Sequence, residues 1–217
     1  MDMRKMTILE MTAMKTAMAS DLNKNPEDVE KMTKDLAGIV DDHALGTAAC
    51  SAATAWVPGT GTVIASAAMV GFVCTMYTRL NNRMGLDLSR ASLKKLASGL
   101  MRYLMYSAAS IGGTKVISTL LSMTGVGNAA SSILMAAVDY GVTKIGGIVY
   151  LNIIGELMAE GRDIEQLNEE ELEALMQKTV QNTNVKAMMK QMKNEYAEGR
   201  KNGTITGEEK VEPACEN

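Results

Sequence analysis

Aromatic, histidine and cysteine residues are scarce in this 217-residue chain. It contains one Trp, one Phe, one His and three Cys, and Met, with 19 copies, supplies much of the large apolar volume. The cysteines, at positions 50, 74 and 215, form neither a disulfide framework nor, with His43 alone, a metal-ligand spacing. The first residues lack the apolar run of a secretory signal. We therefore expect a reducing location, either the cytoplasm or the cytoplasmic face of a membrane.

Charged residues are absent from two long stretches, residues 44–78 and 116–138. The first is interrupted at Pro58, Gly59 and Gly61, and the second at Gly125 and Gly127. Proline lacks a backbone donor and glycine tolerates positive φ, so each stretch is predicted to be a helical hairpin. The first arm would be about 21 Å long, too short to cross a bilayer core of about 30 Å. The first hairpin is therefore expected to pack tightly or to enter one leaflet.

Small residues dominate both uncharged stretches, and small residues allow helix backbones to approach closely. Close helix contacts are predicted at Ala67 and Gly71 and at Ala137 and Gly141. Asp139 and Lys144 follow directly after the second stretch. Charges inside a bilayer are costly, so these groups are predicted to pair at the edge of a bundle rather than to line a pore.

The remaining charge is unevenly distributed. Residues 1–43 and 160–217 carry more Asp and Glu than Lys and Arg, whereas the connector between the uncharged stretches is basic. An anionic membrane surface attracts such a segment, although a solvated helix face explains it equally well. Nucleic acid is a poor candidate partner because aromatic residues do not accompany the basic ones. The predicted membrane-surface residues are Arg79, Arg83, Arg90, Lys94 and Lys95.

Helix-start signals predict an all-α fold. Asn25, Asn168 and either Asp87 or Ser89 are predicted N-caps. The expected architecture is a compact helical bundle built on two glycine-turn apolar hairpins, with amphipathic helices at both ends. Its segments are N-terminal amphipathic helices (1–43), the hairpin domain (44–165), C-terminal amphipathic helices (166–202) and a disordered acidic tail (203–217). Met3, Met6, Met11, Met14 and Met18 fall near helical spacing, which predicts that the first helix is amphipathic.

Several of these motifs together resemble a known family. The motifs are Val57-Pro58-Gly59-Thr60-Gly61, Met84-Gly85-Leu86-Asp87-Leu88-Ser89, Gly125-Val126-Gly127-Asn128-Ala129, and Asp139-Tyr140-Gly141 with Lys144. They resemble the small bacterial helical domain that follows the G domain in some Era-like GTPases and occurs in membrane-associated proteins encoded beside GTPases. The resemblance covers roughly residues 44–165. It implies an all-helical, membrane-associated module without established chemistry.

No arrangement of residues in the sequence predicts catalysis or cofactor binding. Gly112-Gly113-Thr114-Lys115 lacks the order and upstream glycine of a phosphate-binding loop. The leading hypothesis is a non-enzymatic membrane-associated module that binds a partner, such as a GTPase, or itself. The alternatives are a soluble homo-oligomeric helical scaffold and, less favoured, a pore-forming protein.

Overall fold

The computed structural model describes residues 6–20, 25–54, 61–112 and 129–206. Seven α-helices and one short 3₁₀-helix account for most of these residues, and the described ranges contain no β-strand. The prediction of an all-α bundle is therefore confirmed. The α-helices are α1 (Ile8–Ser20), α2 (Pro26–Thr54), α3 (Gly61–Met84), α4 (Arg90–Gly112), α5 (Ala129–Ala159), α6 (Glu169–Asn182) and α7 (Val185–Asn202), and the 3₁₀-helix is Ile164–Gln166.

Two of the predicted helix starts are capped as the sequence indicates. The backbone N–H of Asp28 donates to the Asn25 side chain over 2.9 Å at the start of α2. Asn168 and Glu171 exchange side-chain and backbone hydrogen bonds, each of 3.0 Å, at the start of α6. These reciprocal bonds satisfy backbone donors that have no partner within the helix.

The start of α4 distinguishes between the two candidate caps. Helix α4 begins at Arg90, and the Ser89 hydroxyl accepts from the backbone N–H of Ser92 over 3.2 Å. The prediction of an Asp87 cap is wrong, because an N-cap directly precedes the first helical residue and Asp87 lies two residues too early. Asp87 is exposed in the linker between α3 and α4.

Helix α5 is the centre of the bundle and contacts all six other α-helices. Antiparallel α2 places Val40 against Gly147 and Asp41 beside Lys144. Helix α3 runs parallel to α5. The Tyr77 hydroxyl donates to the Gly146 carbonyl over 3.1 Å, and four residues further along each helix Tyr150 donates to Asn81 over 2.5 Å.

The remaining contacts establish which helix ends lie together. Helix α4 runs antiparallel to α5, since Leu104 lies near Gly146 whereas Ser89, at its start, bonds to Glu165 beyond the end of α5. The last turns of α2 and α4 and the first turns of α3 and α5 consequently lie at one end of the bundle, here called the upper end. The connections at 85–89 and 160–168 lie at the lower end.

One hydrophobic core joins all of these helices, from Leu9 in α1 to Ile205 beyond α7. The sequence predicts disorder from residue 203 onward, and for residues 204–206 this is wrong. Ile205 is buried against Gly199, and its backbone N–H donates to the Gly199 carbonyl over 3.0 Å. Burial of this isoleucine and the backbone bond hold the segment on α7. Residues 207–217 lie outside the described ranges.

The methionines at helical spacing do not form the buried face of α1. Met11 and Met18 are exposed, and Met3 lies outside the described residues. The Thr16 hydroxyl donates to the Leu151 carbonyl over 2.9 Å, and an added Cβ at Gly155 would lie 3.1 Å from that hydroxyl oxygen. Such a close approach of α1 to α5 excludes long side chains. The buried face of α1 is Leu9, Thr12, Ala13, Thr16 and Ala17.

Candidate functional site

Four helices have no charged residue in the turns that lie at the upper end of the bundle. No Asp, Glu, Lys or Arg occurs in residues 43–54 of α2, 61–78 of α3, 103–112 of α4 or 129–138 of α5. The shortest of these runs has ten residues, or about 15 Å of helix at 1.5 Å per residue. We call this region the charge-free end after these four helix segments; Lys115, which lies between α4 and α5 in the sequence, is outside the described residues. Its depth is about half of a bilayer core of about 30 Å.

The predicted turn residues lead into this end. Gly61 is the first residue of α3, whereas Pro58, Gly59, Gly125 and Gly127 lie outside the described residues. The chain segments that contain them follow α2 and α4 and precede α3 and α5. The two uncharged stretches, separate in sequence, are therefore continued by helices that share one end of the fold.

The predicted packing residues lie on the same two helices. Ala67 and Gly71 are within α3, and Ala137 is buried on α5. Gly141 lies against α7: an added Cβ would stand 2.7 Å from Sδ of Met189. That contact allows α7 to pack close to the α5 backbone.

Most of the basic connector lies away from the charge-free end, whereas Arg79 and Arg102 border it. From the start of α3 to Arg83 is about 33 Å of helix, and α4 rises by a similar length from Arg90 to its end. Arg83 pairs with Asp35 over 2.7 Å, and Lys95 pairs with Glu169 over 3.1 Å. Arg79 is half-buried, and Arg90 and Lys94 are exposed. The five residues do not form one unpaired basic surface.

A buried lysine cluster lies between α2, α5 and α7. The Lys144 side chain is only 5% exposed. Its Nζ is 2.7 Å from an Asp41 carboxylate oxygen and 2.5 Å from a Glu195 carboxylate oxygen, and it donates to the Tyr140 hydroxyl over 3.0 Å. The Tyr140 hydroxyl in turn donates to Glu195 over 2.7 Å, and its ring lies 5.4 Å from the ring of Tyr196. One cation thus joins three helices.

The electrostatics of the cluster favour a charged lysine. Burial by itself lowers the pKa of Lys144. The Asp41 charge and the hydrogen bonds to Asp41 and Glu195 raise it by a larger amount, so the pKa of Lys144 lies above the ordinary value. Burial also raises the pKa of the Tyr140 hydroxyl. At neutral pH the cluster therefore holds a protonated lysine and a protonated tyrosine. Burial also raises the pKa of the Asp41 carboxyl, the largest effect on it, while the Lys144 charge lowers it. The cluster connects α2, α5 and α7.

The contribution of Lys144 to stability should disappear at alkaline pH. A folded-state pKa above the unfolded value of about 10.5 means that the contribution is complete below that pH and is lost as pH rises through the folded value. We expect the difference in unfolding free energy between the wild type and Lys144→Met to be constant from about pH 7 to 10 and to shrink above it. Urea unfolding at a series of pH values measures this difference, and a difference that shrinks on acidification from pH 9 to 7 would contradict the assignment.

Sequence reasoning finds Lys144 but not its partners. A lone lysine in an apolar helix needs a carboxylate, and Tyr140, four residues earlier, shares its helix face. Asp41 and Glu195 are 103 and 51 residues away from Lys144. The sequence contains 25 acidic residues, and nothing in it singles out these two.

Other features of the described ranges are weaker candidates for a functional site. The stretch Ala136–Ala159 of α5 is long and apolar enough to cross a membrane, but 72% of its most apolar window is buried inside the bundle, as in the core helix of a globular fold. Two shallow grooves are lined by residues outside the lysine cluster, one near Leu86 and Arg162 and the other near Asn152 and Asn184. In the part of the chain that is described, no three His, Cys, Asp or Glu side chains could hold a metal ion.

Fold and site thus define a single-core, all-helical bundle with one charge-free end. Comparison with models of known protein families, with curated proteins and with solved structures finds no match. The resemblance to the helical domain associated with Era-like GTPases remains a prediction.

Proposed function

We propose that the protein is a non-enzymatic, membrane-associated helical module that enters one leaflet by its charge-free end and presents the rest of the bundle to a protein partner. The observation that carries this proposal is the convergence of four uncharged helix ends. Helix ends without charged residues can enter a bilayer without the cost of moving a charge into hydrocarbon, which favours lipid as the partner of this end.

The length of the uncharged helix ends favours entry into one leaflet over crossing. The first charges below the end are Asp42, Arg79, Arg102 and Asp139. Deeper entry would bring them into hydrocarbon, where each charge costs about 2.5–3.5 kcal/mol at the helix centre. Because α5 is enclosed by the other helices, its apolar stretch is already covered without a bilayer.

The lower end would remain in water and available to a partner at the cytoplasmic face. A GTPase is the partner that the family resemblance implies, and a second copy of the chain is the alternative. Pull-down of the intact protein with purified Era-like GTPases, each loaded with either GDP or GTP, tests the first. Sedimentation of the detergent-free protein tests the second.

Trp56, the single tryptophan, lies in the first uncharged stretch and reports on this proposal. We expect its fluorescence to shift to the blue on addition of phosphatidylcholine vesicles, with or without phosphatidylserine. Bromine atoms on the lipid chains should quench it, because residue 56 follows the end of α2 at the charge-free end. Steady-state fluorescence with lipids brominated at different depths measures the position, and quenching should be strongest within one leaflet.

A matched variant, with its tryptophan at the lower end of the bundle, tests whether that end contacts lipid. Trp56→Phe combined with Ala91→Trp moves the only tryptophan to an exposed site at the start of α4. We expect brominated lipid to leave this variant unquenched. Quenching of the variant but not of the wild type would place the basic connector at the membrane instead. If the fluorescence of neither protein changes and the wild type sediments as an oligomer, the soluble scaffold replaces this proposal. Release of a dye trapped inside the vesicles would instead favour the pore-forming alternative.

A further inference from the structure

Helix α7 has one flank that carries only positive charge. Its buried face is formed by Val185, Met188, Met192, Tyr196 and Gly199. At 100° per residue, the two acidic residues Glu195 and Glu198 lie on one side of that face. All five basic residues lie on the other side, and we call them the α7 basic flank: Lys186, Lys190, Lys193, Arg200 and Lys201.

The cations of the α7 basic flank form fewer ion pairs than the cations of the connector. Within the described ranges, none of the ion pairs includes a residue of the α7 basic flank, whereas Arg83, Lys95 and Arg102 each pair with a carboxylate. Arg200 donates to the Thr206 carbonyl, and both Arg200 and Lys201 are exposed. The flank therefore keeps its charge available to an anionic surface.

The last turn of α7 lies toward the charge-free end. Helix α7 runs antiparallel to α5: Met188 shares a groove with Ile148 and Asn152, and eight residues later the Tyr196 ring lies 5.4 Å from the Tyr140 ring. Arg200 and Lys201, one turn beyond Tyr196, consequently lie beside the first half of α5. Lys186 and Lys190 lie up to about 21 Å lower along the same flank. The distance from Arg200 is about 21 Å for Lys186, just over two screening lengths of about 8–10 Å at physiological ionic strength, and about 15 Å for Lys190, which is more than one and a half screening lengths at the shorter value.

We infer that Arg200 and Lys201 contact anionic lipid headgroups when the charge-free end enters the leaflet. This inference rests on the function proposed above and assigns its electrostatic part to the end of α7 rather than to the connector. Charged residues are tolerated in the headgroup layer and attract phosphatidylserine, and uncharged helix ends beside them fill the hydrocarbon.

Three paired neutralisations of the full chain test this assignment. Binding to phosphatidylcholine vesicles containing phosphatidylserine should weaken about 5-fold per charge, hence about 25-fold for Arg200→Gln with Lys201→Gln. Lys186→Gln with Lys190→Gln removes two charges from the same flank and should change binding less than 2-fold, because screening isolates them. Arg90→Gln with Lys94→Gln, at the lower end, should change it as little. Vesicle flotation in about 0.15 M salt measures all of them.

The outcomes separate this inference from the proposed function. Wild-type protein that binds neither neutral nor anionic vesicles overturns both. If the variant with Arg200 and Lys201 neutralised binds anionic vesicles as tightly as the wild type, the inference is overturned and the proposed function is not. The same holds if the Lys186 and Lys190 variant loses as much affinity, because that result would indicate that α7 contacts the membrane along its whole side. Lys201→Gln alone, which leaves the Arg200–Thr206 contact in place, should weaken anionic binding about 5-fold. All variants should bind phosphatidylcholine vesicles equally and unfold at the wild-type temperature.

Discussion

Replacing Lys144 with methionine should lower the free energy of unfolding by about 2–4 kcal/mol. Methionine fills a similar volume, so the loss comes from the charge and its hydrogen bonds rather than from a cavity. Breaking a fully buried ion pair from one side costs about 3–5 kcal/mol. The expected loss is somewhat smaller here, because the Asp41 and Glu195 side chains are 43% and 39% exposed and can turn toward water. Urea unfolding at pH 7 measures the change.

The partners of Lys144 provide the controls for this result. Adding Asp41→Asn and Glu195→Gln to Lys144→Met removes the carboxylates that the single variant leaves without a cation, and should restore much of the lost stability. Lys178→Met breaks an exposed pair with Glu156 and should cost less than about 1 kcal/mol. A Lys144 variant that is no less stable than the Lys178 variant would show that the cluster does not hold α2, α5 and α7 together.

Local signals in the sequence account for most of the helix boundaries. Asn25 and Asn168 cap the helices that they are predicted to cap, because capping depends on residues within one turn of each other. Of the two candidates at the start of α4, Ser89 is the cap and Asp87 lies two residues too early, so the start itself is correctly located. The fold class follows from the same signals.

The sequence predicts the core-facing residues of a helix less reliably than it predicts the helix boundaries. A stripe of methionines in α1 has the right spacing for a core face, but α1 approaches α5 so closely that threonine and alanine are buried there. The choice depends on the shape of a partner helix distant in sequence. The same limit hides Asp41 and Glu195, since a single sequence contains no record of which acidic residue a tertiary contact selects.

The sequence also predicts that the first apolar hairpin enters the membrane while the basic connector next to it binds the membrane surface. Whether two such segments lie close together depends on the topology of the fold. Arg79 follows directly after the first uncharged stretch in the sequence, which suggests that the two act together. In the fold, α3 carries the chain to the lower end before most of the connector begins, whereas α7 returns toward the upper end 100 residues later. Proximity along the chain is a poor guide to proximity in a bundle of long antiparallel helices.

Replacing Gly147 with alanine should destabilise the protein by up to about 2 kcal/mol, although alanine is the better helix former by about 1 kcal/mol. An added Cβ at Gly147 would lie 2.6 Å and 2.7 Å from the two Cγ atoms of Val40 and 3.2 Å from its Cβ. Valine is branched at Cβ and cannot swing away, so α2 itself must move from α5. Overpacking of this kind costs about 1–3 kcal/mol before relaxation, and occasionally more. Thermal and urea unfolding measure the effect.

Two other glycine-to-alanine changes isolate crowding from helix propensity. At Gly141 the nearest atom to an added Cβ is the Met189 sulfur, near the end of a flexible side chain, and the Met192 Cβ lies 3.3 Å away, so Gly141→Ala should cost less than Gly147→Ala and be close to neutral. Gly141→Leu exceeds what Met189 can accommodate and should cost about 1–3 kcal/mol. At Gly38 an added Cβ meets nothing within 4 Å, so Gly38→Ala should stabilise by up to about 1 kcal/mol. Because all three glycines lie inside helices and alanine gives each a similar gain, the order Gly38, Gly141, Gly147 reports the closeness of the neighbouring helix. Equal effects at Gly141 and Gly147 would show that Val40 does not fix the spacing of α2 and α5.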